Sequence, residues 1–130
     1  MKILITGASG LIGTELQKSF AAKGHEMLLA SRREPKDDRQ IRWSMDTGFD
    51  DADLARLEGF DAFIHLAGES IGGGLRWTDE KKKSIRDSRV FGTRTIIEAL
   101  ARIEAKPKMF ISGSAIGFYG DRGDQEMTES

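Results

Sequence analysis

Cysteine is absent from this chain, and histidine, proline and tyrosine occur twice, twice and once in 130 residues. Without cysteine there is neither a disulfide framework nor a thiol nucleophile. With only two histidines, no transition-metal ligand set is expected. Long apolar runs are missing too. The amino terminus carries Lys2 and then only Ile3, Leu4 and Ile5 before Thr6. That is too little for a signal peptide or a membrane span, so the expected location is the cytoplasm. Neither sign of charge is in excess: 20 Lys plus Arg stand against 21 Asp plus Glu, a formal net charge of -1. Such a balance gives no general attraction to nucleic acid or to an anionic membrane, and neither is expected as a partner.

What the chain has in quantity is glycine, 15 residues, within an apolar content of 38%. That composition and length suit one globular domain with glycine-rich turns. Three of the glycines organise the amino-terminal stretch. Ile3, Leu4 and Ile5 read as a short buried strand, Thr6 and Gly7 end it, and Leu11, Ile12 and Leu16 recur at helical spacing. Between strand and helix, Gly7, Gly10 and Gly13 let the backbone turn tightly, approach a ligand and pack the helix on its strand. The helix N-terminus offers free N–H groups and the positive end of its dipole, which suits a pyrophosphate. Ser9, Leu11 and Ile12, between the glycines, are further candidate contacts. The spacing is GxxGxxG rather than GxGxxG, and its strand-to-helix setting points to dinucleotide binding over a purely structural turn. A GxxxxGK[ST] phosphate loop is excluded, because Thr14 follows Gly13 where a lysine would be needed.

Further along, Leu16, Phe20 and Ala21 face inward on a helix from Leu11 to about Lys23, with Gly24 as its C-cap. Residues 27–30 make a second strand, with His25 a surface residue in the turn before it. The second strand delivers Ser31, Arg32 and Arg33 where an NAD site commonly presents an Asp or Glu to the adenosine ribose. Arginine forks and a serine hydroxyl suit a 2′-phosphate, so NADP is expected and NAD less so. A solvated charged turn is the plain alternative. Residues 41–43 read as a third strand, residues 50–57 as a short helix begun by Asp50, and residues 62–66 as a fourth strand. Asp46 is placed near the adenine end of the site. His65 lies in the apolar run and reads as a hydrogen-bonded strand residue rather than a base.

Leu66, Ala67, Gly68 and Glu69 emerge at the strand's carboxyl end, the general ligand-binding edge of such sheets, and are candidate cofactor contacts. Residues 71–74 read as flexible. Thr78 then caps a long helix over residues 79–103, although Gly92 weakens its middle. Lys81, Lys82 and Lys83 read as a wet face, from which one long stem could reach the pocket. A fifth strand over residues 108–111 ends in small hydroxyl residues, among which Ser114 is a candidate substrate contact.

The segments ITGASGLIG (residues 5–13), SRR (31–33), HLAGESI (65–71), RWTDEKK (76–82), SRVFGT (88–93) and SGSAIGFYG (112–120) together resemble the extended short-chain dehydrogenase/reductase superfamily. Within it they are similar to the atypical NAD-dependent epimerase/dehydratase proteins of the SulA-like nucleoside-diphosphate-sugar epimerase branch. The resemblance implies an α/β, Rossmann-like, doubly wound parallel sheet in order 3-2-1-4-5. It implies that Gly7, Gly10 and Gly13 hold the pyrophosphate and that Arg32, with Ser31 and Arg33, grips a 2′-phosphate. Ala67, Gly68 and Glu69 would line the nicotinamide-side ribose, and Ser114 would touch the substrate oxygen. The catalytic pair of ordinary members is a tyrosine followed four residues later by lysine. Tyr119, the sole tyrosine, is followed by Asp121, Arg122 and Gly123 and does not match it. Residues 1–130 are therefore expected to be the amino-terminal NAD(P)-binding part of a longer oxidoreductase or epimerase, lacking later strands and a substrate lobe. Alone, the chain is expected to be inactive. Its substrate class would be a nucleotide sugar or carbonyl compound, and its exposed fifth strand would favour self-association. A non-catalytic dinucleotide-sensing regulator is the alternative function, and a flavodoxin-like or receiver-like interaction domain the different class that Gly7–Gly13 fits poorly.

Overall fold

Among the described residues five parallel strands carry the fold: β1 (Lys2–Thr6), β2 (Glu26–Ser31), β3 (Gln40–Arg42), β4 (Ala62–His65) and β5 (Met109–Ser112), in sheet order β3-β2-β1-β4-β5. Among the described residues three helices join them: α1 (Leu11–Ala22), α2 (Asp51–Ala55) and α3 (Asp79–Arg102). The computed structural model describes residues 1–72, 76–115, 117 and 119–128. Gly73 and Gly74 of the glycine run expected to be flexible lie outside the described residues, as do Ile116 and Phe118 of the segment after β5. Among the described residues no helix is long and apolar enough to cross a membrane.

Register explains the two cores. Leu28, Leu4, Phe63 and Phe110 lie in one row across β2, β1, β4 and β5. They face the cluster that includes Leu54, Leu57, Ile96, Ala99 and Ile103 of the α2 and α3 side. The alternate positions Ile3, Ile5 and Ile64 pack on the opposite face with Leu16 and Phe20 of α1. Both faces of the central strands are thus apolar, as a parallel sheet between helices requires. Burying a side chain such as Leu4 or Phe63, each 1% exposed, contributes about 1.5–3 kcal/mol. Coverage stops at β5, whose Met109 and Ile111 are 51% and 44% exposed.

Helix ends follow local chemistry. Gly24 adopts φ +70°, and the N–H groups of Gly24 and His25 bond the carbonyls of Ala21 and Phe20 at 3.0 Å each. That is a Schellman ending, with the His25 ring tilted against Phe20 at a centroid distance of 5.9 Å. Asp50 caps α2 by accepting the Asp53 N–H at 2.7 Å, and Thr78 caps α3 by accepting the Lys81 N–H at 3.2 Å. Gly92 is buried against Trp43, whose ring lies 3.5 Å from where a Cβ would stand, an ordinary contact.

Candidate functional site

A cleft of about 590 Å³ opens at the carboxyl ends of β1, β2 and β4. It lies where the strand order reverses direction between β1 and β4, so loops on either side part and leave a crevice. Its floor and walls come from the glycine loop, the turn after β2, the segment after β3, the exit of β4 and the first half of α3.

The glycine loop is shaped by close backbone approach. Gly7 has φ +69°, and a Cβ there would stand 2.6 Å from the Leu66 carbonyl carbon. A Cβ on Gly13 would stand 2.7 Å from Ala8 Cα. Gly10 differs: its Cβ would meet one atom within 4 Å, the Gly7 carbonyl oxygen at 3.3 Å, a tight contact but not a collision, and the residue lines the cleft. The loop is closed by the Gly10 N–H donating to the Gly7 carbonyl at 3.0 Å and by Gln17 Nε2 donating to the Ala8 carbonyl at 2.7 Å. Gly10 is the N-cap of α1 and supplies no side chain, and the first turn holds no acid. The first N–H groups of α1 therefore lack intrahelical partners and point their positive end out of the helix.

Gly7, Ala8, Ser9, Gly10, Thr14 and Gln17 line the cleft. Of the other expected contacts, Gly13 is buried beneath the loop, while Leu11 and Ile12 are 86% and 63% exposed with side chains outside the lining. Thr14 and Gln17 were not expected there. The i,i+4 and i,i+7 spacing of Thr14 and Gln17 from Gly10 is the signal that sets them on the loop-facing side of α1.

Ser31, Arg32, Arg33 and Glu34 line the β2 side. Ser31 Oγ accepts the Arg33 N–H at 3.2 Å, so this hydroxyl serves the local turn. Glu34 binds Arg42 Nη1 at 2.6 Å. Trp43, Ser44, Met45 and Asp46 complete this end, so Asp46 does sit in the cleft wall.

On the β4 side, Leu66, Ala67, Gly68 and Glu69 all line the cleft. Thr6 Oγ1 lies 2.7 Å from His65 Nδ1 and accepts the Ala67 N–H at 3.3 Å. His65 is 3% exposed, and burial holds its pKa below the ordinary imidazole value. It sits in β4 as a hydrogen-bonded strand residue. Glu69 is the charged residue of the β4 side. Lys81 Nζ donates to its Oε1 at 2.5 Å, and that bond, with the charges of Lys81, Arg32 and Arg89, holds the carboxyl below the usual glutamate range. Arg32 thus acts across the cleft on Glu69. The lysine that reaches the pocket region is Lys81; Lys82 pairs with Asp79 at 3.2 Å on the exposed face. Ser114 is exposed beyond the end of β5 and is not part of the lining.

The NAD dependent epimerase/dehydratase family model matches residues 3–130. The chain belongs to that family. The family protein ML0860 of Mycobacterium leprae is 34% identical over 128 residues, which cover 98% of this chain and 40% of the relative. The epimerase family chain therefore spans about 40% of the length of such curated relatives. Human epimerase family protein SDR39U1 with NADPH superposes with a TM-score of 0.76 at 31% identity, over 92% of this chain and 38% of that one. MoeE5 in complex with UDP-glucuronic acid and NAD gives 0.72 at 25% identity, over 99% and 41%. The sheet order and glycine loop are those of an NAD(P)-binding Rossmann domain.

The expected preference for NADP over NAD is corrected. MoeE5 holds NAD with either sugar nucleotide, and the UDP-glucuronic acid 4-epimerase of Bacillus cereus holds NAD as well, against NADPH in the human protein. The geometry supplies a reason. Ser31 is occupied by its own turn, and the Glu34 carboxylate shares the wall with Arg32 and Arg33. The relatives do not share one cofactor, so the arginines of this edge do not by themselves establish NADP.

Proposed function

We propose that this chain is the dinucleotide-binding part, residues 1–130, of a larger oxidoreductase or nucleoside-diphosphate-sugar epimerase. The observation that carries the proposal is the glycine cradle. A side chain at Gly7 or Gly13 would collide with backbone, whereas Gly10 lines the cleft at the start of α1, whose N-cap gives no side-chain hydrogen bond. These residues fit a pyrophosphate, which needs backbone approach and N–H donors rather than a lysine. The Ser31–Glu34 turn would take the adenosine ribose, and Ala67 to Glu69 the nicotinamide-side ribose. When bound, a nicotinamide ring supplies hydride transfer, and the protein's task is to hold it against a substrate.

The RWTDEKK, SRVFGT and SAIGFYG segments support assignment to the SulA-like branch, with a nucleotide sugar or carbonyl compound as substrate class. Residues 1–130 alone are expected to show no turnover. Tyr119 has no lysine four residues on, and Ser114 is a poor proton shuttle without an adjacent base. The uncovered β5 edge, with Met109 and Ile111 exposed, supports self-association, which light scattering over a concentration series would detect.

The binding proposal is tested by titrating NADH and following energy transfer from tryptophan, since Trp43 lines the cleft. Saturable transfer, competed by unlabelled NAD or NADP, is expected. No transfer and no competition at millimolar ligand would reject the proposal.

A further inference from the structure

Glu69 is gripped by α3 at every kind of polar group it has. Ser88 Oγ accepts its N–H at 2.9 Å, Arg89 Nη1 donates to its carbonyl at 3.2 Å, and Lys81 Nζ donates to Oε1 at 2.5 Å. Ser88 spends its own proton on the Ile85 carbonyl at 3.0 Å, which leaves its lone pairs for Glu69. The Arg89 guanidinium lies along Gly68, 3.5 Å from where a Cβ would be. From the opposite side, Thr6 holds the Ala67 N–H. The segment leaving β4 is therefore fixed from both β1 and α3.

Lys81 differs from its neighbours in kind. Its side chain is 18% exposed, against 55% for Lys82 and 71% for Lys83. Exposed pairs of the Lys82 type contribute little to stability. A mostly buried ammonium needs its partner, and the partner is in turn held still. Glu69 remains 37% exposed and lines the cleft, and among the described residues only its Oε1 is engaged. A carboxylate oriented in this way, ionised and with one oxygen left over, is a hydrogen-bond acceptor for hydroxyl groups.

We propose that Lys81 is a positioning residue: it fixes Glu69 so that the second carboxylate oxygen accepts the hydroxyls of the ribose bound at the β4 edge. This rests on the dinucleotide reading above. Lys81 touches no ligand itself and acts only through Glu69.

The test compares ADP, which lacks the second ribose, with ADP-ribose, which has it. Affinities are measured by calorimetry for the wild type, Lys81→Met, Lys81→Arg and Glu69→Gln, each shown by melting to be folded. Lys81→Met and Glu69→Gln should each weaken ADP-ribose about tenfold or more, the scale of a hydrogen bond to a charged group. ADP affinity should stay within twofold, and Lys81→Arg should recover most of the ADP-ribose affinity. Equal losses for ADP and ADP-ribose would mean that Lys81 merely supports the fold, and unchanged affinities would mean that Glu69 takes no ribose. Either result overturns the inference while leaving dinucleotide binding intact. Failure of the wild type to bind either ligand would overturn the dinucleotide reading and this inference with it.

Discussion

Replacing Gly13 by alanine separates a glycine that the loop requires from one that is merely present. Gly13 sits in the first turn of α1, where alanine is ordinarily preferred by about 0.8–1.0 kcal/mol. In open space, Gly13→Ala would therefore stabilise the protein. Here the added Cβ would lie 2.7 Å from Ala8 Cα and 2.9 Å from the Ala8 carbonyl carbon. Both are backbone atoms, so no rotamer change relieves the contact. Overpacking of this kind costs about 1–3 kcal/mol. The balance is a net loss of up to about 2 kcal/mol, with the loop displaced from α1. The assay is urea unfolding followed by far-ultraviolet circular dichroism, with Gly24→Ala beside it, where nothing lies within 4 Å and only the φ of +70° is strained. A Gly13→Ala protein more stable than the wild type would refute the close-approach reasoning.

Gly92→Ala should behave in the opposite way. Its Cβ would meet the Trp43 ring at 3.5 Å, an ordinary contact, so the helix gains up to about 1 kcal/mol in the same unfolding assay. His65 sets a pH dependence. Burial lowers its pKa in the folded protein, so the unfolded chain takes the proton first, near the ordinary value of about 6.5. Its contribution is complete above that pH and falls as pH drops toward the depressed folded value, by up to about 1.4 kcal/mol per pH unit. Urea midpoints between pH 7.5 and 5.5 should fall for the wild type and flatten for His65→Gln.

Much of the fold was legible because alternation and turn chemistry agree. The apolar triplet Ile3–Ile5, the glycines after it and the second apolar run at residues 27–30 dictate a βαβ unit, and the observed sheet order follows. The Gly24 and Thr78 helix ends were readable for the same reason. The site was less so. Lys81, Lys82 and Lys83 are adjacent in sequence, and only the azimuth of α3 against the β4 exit decides which meets Glu69. NADP selection was inferred from Arg32 and Arg33, but the character of that edge also depends on the Glu34–Arg42 pair, set by where β3 lies. Trp43 read as the end of a strand; its burial against Gly92 is a tertiary fact with no local signal.

The central claim is that the glycine loop receives a pyrophosphate. Calorimetric titration of NADH into the wild type and Gly10→Val tests it most directly. The Cβ of a valine at Gly10 would stand 3.3 Å from the Gly7 carbonyl oxygen, at the α1 N-terminus and in the lining of the cleft. Saturable one-to-one binding by the wild type, weakened at least tenfold in a still-folded Gly10→Val, is the predicted result. Equal affinity in the two proteins would contradict it and leave the loop as a turn.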